Sequence, residues 1–364
     1  MTSAANCGVF DPDYAVPPGL TLADLLQEQG MSQTDLARRL GVSLKHINQV
    51  IRGSASISAE LALGLEKVFG TSSAFWLSRE SLYQAVLARK QERREFEKAI
   101  DWASQFPVTE LKKRGLIPGD ATGVDLVGQL LRFFGIARPS QWSDPAVAYR
   151  KSLKIESDPY ALSAWLRLGE LEAAKMEYQP YDADKFMRAL EAARHLTRSD
   201  PDHWYPRLLD ACAAAGVALV VVDTICGVPV NGATRWLSPS KALIQLSLRY
   251  RWEDIFWFSF FHEAGHVLLH RKKDMFLESH RRQDEEPGEE RARLEEEADR
   301  FAARVLIPAK YDRVLRQLSF NEVASFAEEL GIAPAIVLGR LQHEGLLPFS
   351  SGNKIRRRFR LVND

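Results

Sequence analysis

Residues 256–270 read FWFSFFHEAGHVLLH, and this segment decides the fold of the C-terminal half of the chain. Its apolar spacing predicts a buried helix that begins near residue 254. His262 and His266 are four residues apart, so on a helix both imidazoles emerge on one face and can bind one metal ion. Glu263 lies beside them, where a carboxylate can act as a general base. The segment therefore predicts a hydrolytic metal site.

The third ligand of such a site must come from another segment, because a catalytic zinc has three protein ligands and one open position. The acidic segment LEEEADRFAARVLIP, residues 294–308, is the candidate source. Glu295 and Asp299 face the same way on its predicted helix, so we predict Glu295 as the ligand and Asp299 as the hydrogen-bond partner of a ligating histidine. The alternatives are a solvated acidic helix face and a ligand at Glu296 or Glu297.

The mixed nitrogen and oxygen ligand set favours zinc, one ion per chain, with manganese as the alternative. His270 lies on the same predicted helix face, but it is about 12 Å from His262 along the helix axis, too far to share that ion. We therefore predict that His270 caps the end of the helix.

Upstream of the histidine helix the hydrophobic pattern changes from helical to extended. Residues 217–222 and 242–248 are apolar runs on either side of a turn-forming segment at 227–232, which predicts two strands of a small sheet. Between residues 105 and 215, prolines separate several helical stretches. The sequence thus predicts a mainly α protein with a small β-sheet, an α+β fold.

A second informative segment is MSQTDLARRLGVSLKHINQVIRG, residues 31–53. Its apolar spacing predicts a helix over 33–40, a turn at Gly41 and a second helix over 44–52. In this arrangement the second helix of a helix-turn-helix enters the DNA major groove. The predicted DNA contacts are the outward polar side chains of Gln33, Lys45, His46, Asn48, Gln49 and Arg52. The alternative is a plain helical hairpin with a solvated outer face.

Composition shifts divide the chain into five predicted regions. They are an N-terminal tail at 1–16, a DNA-binding domain at 17–87, a helical connector at 88–215, a domain with the metal site at 216–344 and a basic C-terminal tail at 345–364. The tail includes KIRRRFR, which we expect to be exposed.

The overall composition excludes several classes of protein. The 364 residues include 48 basic and 48 acidic side chains, so any contact with nucleic acid must be local. We find no secretory signal and no apolar stretch long enough to span a membrane. The three cysteines form no CxxC pair, which fits a reducing compartment. We therefore expect a cytoplasmic protein without a membrane partner.

The N-terminal segment has a family resemblance. The run from PPGLTLADLLQEQG, through the helix-turn-helix segment, to ISAELALGLEKVFGTSSAFWLSRESLY resembles the Xre-type helix-turn-helix proteins and, within them, the HigA-like antitoxins. The resemblance covers roughly residues 17–85. It implies a five-helix domain that binds operator DNA as a homodimer.

The C-terminal motifs resemble another family. FHEAGHVLLH followed by EEEADRFAARVLIP is similar to the paired motifs of the ImmA/IrrE metallopeptidases, whose site is gluzincin-like. This resemblance covers roughly residues 216–330. It implies a metal-dependent endopeptidase that cleaves a specific partner, often a DNA-binding repressor, in stress, phage or mobile-element circuits.

Together these features predict a DNA-binding regulator with a zinc-dependent endopeptidase domain that controls transcription by cleaving a regulatory protein. The substrate would be a repressor, an antitoxin or a toxin partner, and self-cleavage stays open. The alternative is a non-enzymatic, HigA-like transcriptional regulator or antitoxin whose metal site is structural or sensory. Replacement of Glu263 by Gln separates the two hypotheses.

Overall fold

The structure is a computed structural model, and part of the chain is described. The described residues are 16–142, 158–270, 276–279 and 289–358. Residues 1–15 of the predicted N-terminal tail and 359–364 of the predicted basic tail therefore lie outside the described residues.

The fold class is confirmed as mainly α with a small sheet, and the chain divides into two compact units. One unit is Met1–Asp101 with Thr122–Gly128, and the other is Trp102–Ala121 with Gln129–Asp364. The five predicted regions stay predictions, because the unit boundaries follow contacts and not function.

The N-terminal unit contains the five helices that the resemblance implied. They are α1 (Pro18–Glu28), α2 (Gln33–Leu40), α3 (Leu44–Ile51), α4 (Ala59–Phe69) and α5 (Ser73–Glu97). Helices α2 to α5 each begin after a serine whose hydroxyl accepts a hydrogen bond from a backbone N–H three residues later. Leu36, Ile47 and Trp76 are fully buried between these helices, so the helix-turn-helix pair has a core of its own.

Eleven further α-helices follow among the described residues. They are α6 (Ile100–Ser104), α7 (Val108–Lys113), α8 (Gly123–Phe134), α9 (Pro159–Ala173), α10 (Ala183–Leu196), α11 (Pro201–Ala214), α12 (Glu253–Leu269), α13 (Glu289–Leu306), α14 (Asp312–Leu315), α15 (Val323–Leu330) and α16 (Pro334–His343). Short 3-10 turns lie at Pro139–Gln141, Ala309–Tyr311, Phe320–Glu322 and Asn353–Ile355. Among all the described helices, α1 to α16, none is both long enough and apolar enough to cross a membrane.

The sheet of the second unit has four strands in the order β1-β3-β2-β4. They are β1 (Val217–Val221), β2 (Val230–Ser238), β3 (Lys241–Leu246) and β4 (Phe276–Ser279). Strand β3 is parallel to β1 and antiparallel to β2, and β4 pairs antiparallel with β2. Both predicted strands are present as β1 and β3, but the sequence did not predict β2 or β4.

Strand β2 was missed because its polar residues acquire partners only in the folded protein. Arg235 is 7% exposed; it forms an ion pair of 2.9 Å with Glu170 and donates to the carbonyl of Leu166, both on α9. On β3, Gln245 donates to the carbonyl of Trp165 at 2.6 Å. Helix α9 therefore covers one face of the sheet and provides partners for the buried side chains of Arg235 and Gln245.

Helix α12 covers the opposite face of the sheet and is the centre of the hydrophobic core. Trp257, Phe260 and Phe261 are fully buried there. The same core includes Phe186 of α10 and Trp204 of α11, which lie in the predicted connector. The helices of that region therefore help to hold the histidine helix in place.

The predicted basic tail is docked where it is described. Arg356 lies 3.0 Å from Asp254, and Arg357 lies 2.6 Å from Glu253. Both acids are in the first turn of α12 and are buried. The expectation of an exposed tail is wrong for these two arginines, because the buried carboxylates require cationic partners.

Candidate functional site

The recognition helix of the predicted helix-turn-helix is α3. The hydroxyl of Ser43 accepts a hydrogen bond of 3.1 Å from the backbone N–H of His46 and so fixes the start of the helix. Ile47 and Val50 face the core and are at most 1% exposed. This burial fixes which side of α3 faces outward.

The predicted DNA contacts lie on or next to the two helices of this motif. Lys45 and Arg52 are exposed, whereas His46, Asn48 and Gln49 on α3 and Gln33 at the start of α2 are half-buried. The side-chain amide of Asn48 donates to the carbonyl of Leu44 at 3.0 Å, which leaves its oxygen as an acceptor. Amide, imidazole and cationic groups on one short helix are suited to base edges and phosphates.

The candidate metal centre lies between α12 and α13. The Nε2 atoms of His262 and His266 are 3.0 Å apart. Oε2 of Glu295 is 3.3 Å from Nε2 of His262 and 3.6 Å from Nε2 of His266. One ligand atom from each residue lies within 4.8 Å of the others, and all three residues are buried. The structure thus brings together the three residues that the sequence predicted as ligands.

Small residues let the two helices of the centre approach closely. A Cβ on Gly265 would lie 3.1 Å from the ring of Phe301 and 3.3 Å from Cα of Ala298. A Cβ at this position would therefore contact α13 more tightly than ordinary van der Waals packing allows. This close contact brings Glu295 to the histidines, although it lies far along the chain.

The competing carboxylates have other partners in the structure. Glu296 forms an ion pair with Arg300 at 2.6 Å, and its side chain is 69% exposed. Glu297 is 3.3 Å from Arg293 and 3.4 Å from His270. Among these three neighbouring acids, the geometry favours Glu295 as the ligand.

Asp299 contacts the outer ring nitrogen of His262. Its Oδ1 lies 2.8 Å from Nδ1 of His262. An ionised carboxylate only accepts hydrogen bonds, so this contact places the imidazole proton on Nδ1 and the lone pair on Nε2. The lone pair therefore points to His266 and Glu295, as a metal ligand requires.

The electrostatics of the centre suit a divalent cation. Burial lowers the pKa of His266 to about 4, so its imidazole is neutral near pH 7. Burial opposes the ionisation of Glu295, but its contacts with His262 and His266 outweigh this effect and hold its pKa well below the usual range. Neutral imidazole nitrogens and one carboxylate oxygen form a donor set that fits zinc.

Glu263 is fully buried and lies against β2, a contact that the sequence did not predict. Oγ1 of Thr234 donates to the backbone carbonyl of Glu263 at 3.0 Å. A Cβ on Gly232 would be 2.6 Å from Oε1 of Glu263, so this position requires glycine. A glycine inside a strand often marks such a close approach. The sequence did not predict β2, so Gly232 could not be recognised as a glycine inside a strand.

His270 is the C-cap residue of α12, as predicted, and its backbone N–H donates to the carbonyl of His266 at 3.3 Å, but its side chain does not cap the helix. Its Nδ1 lies 2.8 Å from Nδ1 of His266, and its side chain is 1% exposed. Burial lowers the pKa of His270. The ring of this histidine therefore packs against a predicted ligand of the metal.

Two family profiles match the chain at these sites. A helix-turn-helix profile matches residues 22–76, and the profile of the IrrE N-terminal-like domain, a peptidase M78 domain, matches residues 253–342. The chain joins an Xre-type helix-turn-helix domain to an M78 peptidase-like domain. The M78 match includes both histidines, Glu263 and Glu295.

The helix-turn-helix domain also has similar individual relatives. Virulence-associated protein I of Dichelobacter nodosus is 34% identical over 77 residues, which are 21% of this chain and 71% of that protein. The N-terminal part of the chain therefore belongs to this helix-turn-helix family.

Solved structures of HigA proteins are similar in sequence to the same domain. An addiction module antidote protein of the HigA family from Coxiella burnetii is 33% identical, with 23% of this chain and 92% of that chain covered and a TM-score of 0.22. The Pseudomonas aeruginosa antitoxin HigA, solved with the higBA promoter, is 33% identical, with 24% and 96% covered and a TM-score of 0.22.

Proposed function

We propose that this protein is a DNA-binding regulator whose M78 domain is a zinc-dependent endopeptidase acting on a regulatory protein. The observation that carries the proposal is the buried convergence of His262, His266 and Glu295 within 4.8 Å. Glu263, the neighbour of His262 in the chain, adds a carboxylate to the same buried helix. This combination is what hydrolysis of a peptide bond requires.

The residues of the chain have separate roles in the proposed reaction. A zinc ion held by His262, His266 and Glu295 would polarise the scissile carbonyl and make water a stronger nucleophile. Glu263 accepts the proton of the attacking water on its carboxylate and delivers it to the leaving amine. Asp299 holds His262 in the tautomer that has its lone pair on Nε2.

The helix-turn-helix domain would bring the peptidase to DNA. The polar and basic side chains of α3 support binding to an operator, and two-fold operators suit a homodimer. A peptidase attached to such a domain would act on a repressor, an antitoxin or a toxin partner bound at or near the same operator. Cleavage would then change transcription.

The deciding experiment uses the full chain loaded with zinc. It is incubated alone and with repressor, antitoxin and toxin proteins encoded beside its gene, and fragments are identified by mass spectrometry. We expect one specific cleavage, together with about one zinc per chain. The Glu263→Gln variant should retain zinc but lose about 10²- to 10⁴-fold in cleavage rate, because the general base is gone.

Glu296→Gln is the matched control, since it removes the same charge from an exposed side chain beside the site. It should cleave at the wild-type rate. If the zinc-loaded wild type cleaves none of these proteins, and Glu263→Gln regulates transcription as well as the wild type does, the peptidase proposal fails. A non-enzymatic regulator with a structural or sensory metal would then be the better description.

A further inference from the structure

A second histidine–carboxylate pair lies on the outer side of the candidate metal centre. His270 contacts His266 through an Nδ1 to Nδ1 distance of 2.8 Å. On its other side, Nε2 of His270 is 3.4 Å from Oε2 of Glu297. A continuous line of contacts therefore runs from a half-exposed carboxylate to the buried imidazole of His266.

The protons in this line can be assigned from its buried end. If His266 binds the metal through Nε2, a neutral imidazole at this position carries its proton on Nδ1. Nδ1 of His266 then donates to Nδ1 of His270, and the proton of His270 lies on Nε2, on the side of Glu297. The 3.4 Å contact of Nε2 with Glu297 is longer than a hydrogen bond, so this carboxylate acts on the proton by its charge.

We propose that His270 and Glu297 position His266 for metal binding by fixing its tautomer and ring orientation. The proposal rests on the proposed metal site. It makes His270 a positioning residue for His266, in the way that Asp299 is one for His262. The two ligating histidines are thus held differently: one directly by a carboxylate, the other by a carboxylate acting through a second histidine.

The backbone at the end of α12 supports this role. His270 is the first residue after the helix, and its φ of −112° and ψ of 170° are extended. Its backbone N–H still donates to the carbonyl of His266 at 3.3 Å, so the helix end is closed by the main chain. The side chain is therefore not required as a cap.

The contacts of Glu297 also distinguish it from its neighbour Glu296. Both lie on α13 and both pair with an arginine, Glu296 with Arg300 and Glu297 with Arg293, but of the two only Glu297 also contacts His270. The two glutamates form a matched pair for a test, because replacement of either by glutamine removes one charge at adjacent positions. The proposal predicts that only the change at Glu297 affects the metal.

The test measures the zinc dissociation constant of the full chain by competition with a chromophoric chelator. His270→Leu removes the acceptor for His266, and we expect zinc binding to weaken about 10- to 100-fold. His270→Asn places an amide oxygen near the former Nδ1, so it should restore most of the affinity. Glu297→Gln should weaken binding less than His270→Leu does, and Glu296→Gln should not change it.

A spectroscopic measurement separates positioning from general damage. The cobalt-substituted protein should show visible absorption bands that are altered in His270→Leu and close to the wild type in His270→Asn, because only the former leaves the ring of His266 unsupported. If His270→Leu does not fold, the comparison of His270→Asn, Glu297→Gln and Glu296→Gln decides the proposal.

The outcomes separate this proposal from the proposed function. Wild-type affinity in His270→Leu, equal effects of the two glutamate variants, or equal losses in His270→Asn and His270→Leu would each overturn the positioning role and leave the metal site intact. A wild-type chain that binds no zinc, or binds it as tightly after His262→Ala, would overturn the metal site itself.

Discussion

The two functional regions of this molecule hold their side chains in opposite environments. Lys45 on the recognition helix and Arg52 just after it are exposed, and the helix contributes only one apolar face to the core. In the metal centre, the three predicted ligands are at most 6% exposed. One region therefore presents its chemistry on a surface, whereas the other encloses it.

This difference shows what each kind of chemistry requires. Contact with a polyanion needs cationic and polar groups on one side of a short helix, and water can remain around them. A hydrolytic centre needs charges in a medium of low dielectric constant, with each group held in place by its neighbours. Substitutions near the metal should therefore affect activity and stability together, whereas substitutions of the exposed side chains on and just after α3 should affect only affinity for DNA.

The largest effect is expected at Gly232, where β2 touches Glu263. In Gly232→Ala, the new Cβ would lie 2.6 Å from Oε1 and 2.8 Å from Cγ of a fully buried side chain, so Glu263 must move. We expect the peptidase rate to fall about 100-fold, as small misplacements of catalytic groups do. The overpacked contact should also lower the free energy of unfolding by about 1 to 3 kcal/mol. Cleavage kinetics of the zinc-loaded chain measure the peptidase rate, and urea unfolding measures the free energy of unfolding.

Gly119→Ala is the control for this variant, because a Cβ there would meet no atom within 4 Å. It should leave both rate and stability at wild-type values. DNA binding should be unchanged in both variants. An active, fully stable Gly232→Ala protein would show that the contact between β2 and Glu263 is not required.

Features that depend on local structure can be predicted from the sequence, whereas most features that depend on long-range contacts cannot. The recognition helix could be predicted because its cap, turn and buried stripe all lie within residues 31–53. Glu295 and Asp299 could be predicted because a spacing of four residues on a helix is also local information. Their contact with the histidines could be predicted because a catalytic zinc requires a third protein ligand from another segment.

The parts that the sequence did not predict depend on tertiary contacts. Strand β2 contains Arg235, whose burial requires the carboxylate of Glu170 on α9. Gly232 has a role only because β2 passes over α12. The contact of His270 with Glu297 depends on the end of α12 lying beside the middle of α13. In each case the residue type is visible in the sequence, but its partner is set by the packing of distant elements.

A smaller effect, on pH dependence, is expected at Asp254 in the first turn of the histidine helix. Burial raises the pKa of Asp254 to about 6, although Arg356 opposes this shift. A raised pKa means that the folded state binds the proton more tightly than the unfolded state, so this stabilisation is present at low pH and is lost as the pH rises through about 6. Between pH 4.5 and 6.5 the wild type should lose about 2 kcal/mol of unfolding free energy relative to Asp254→Asn.

Urea unfolding at several pH values tests this expectation, with Asp202→Asn as the control. Asp202 is an exposed acid in the first turn of α11, so its replacement should leave the pH profile of the wild type unchanged. A constant difference between the wild type and Asp254→Asn across this pH range would show that Asp254 does not carry the pH dependence.

The smallest effect is expected on the exposed recognition helix. Arg52 lies just after α3 and is exposed, so its removal costs the fold little. If it contacts a phosphate, Arg52→Ala should weaken operator binding about tenfold or less and reduce the slope of log affinity against log salt by about 1. Lys90→Ala removes the same charge from an exposed position on α5 and should change neither value.

Equal salt slopes for both variants and the wild type would remove Arg52 from the interface. A reduced slope with unchanged zinc content and peptidase rate would show that the surface region can be altered without disturbing the buried one.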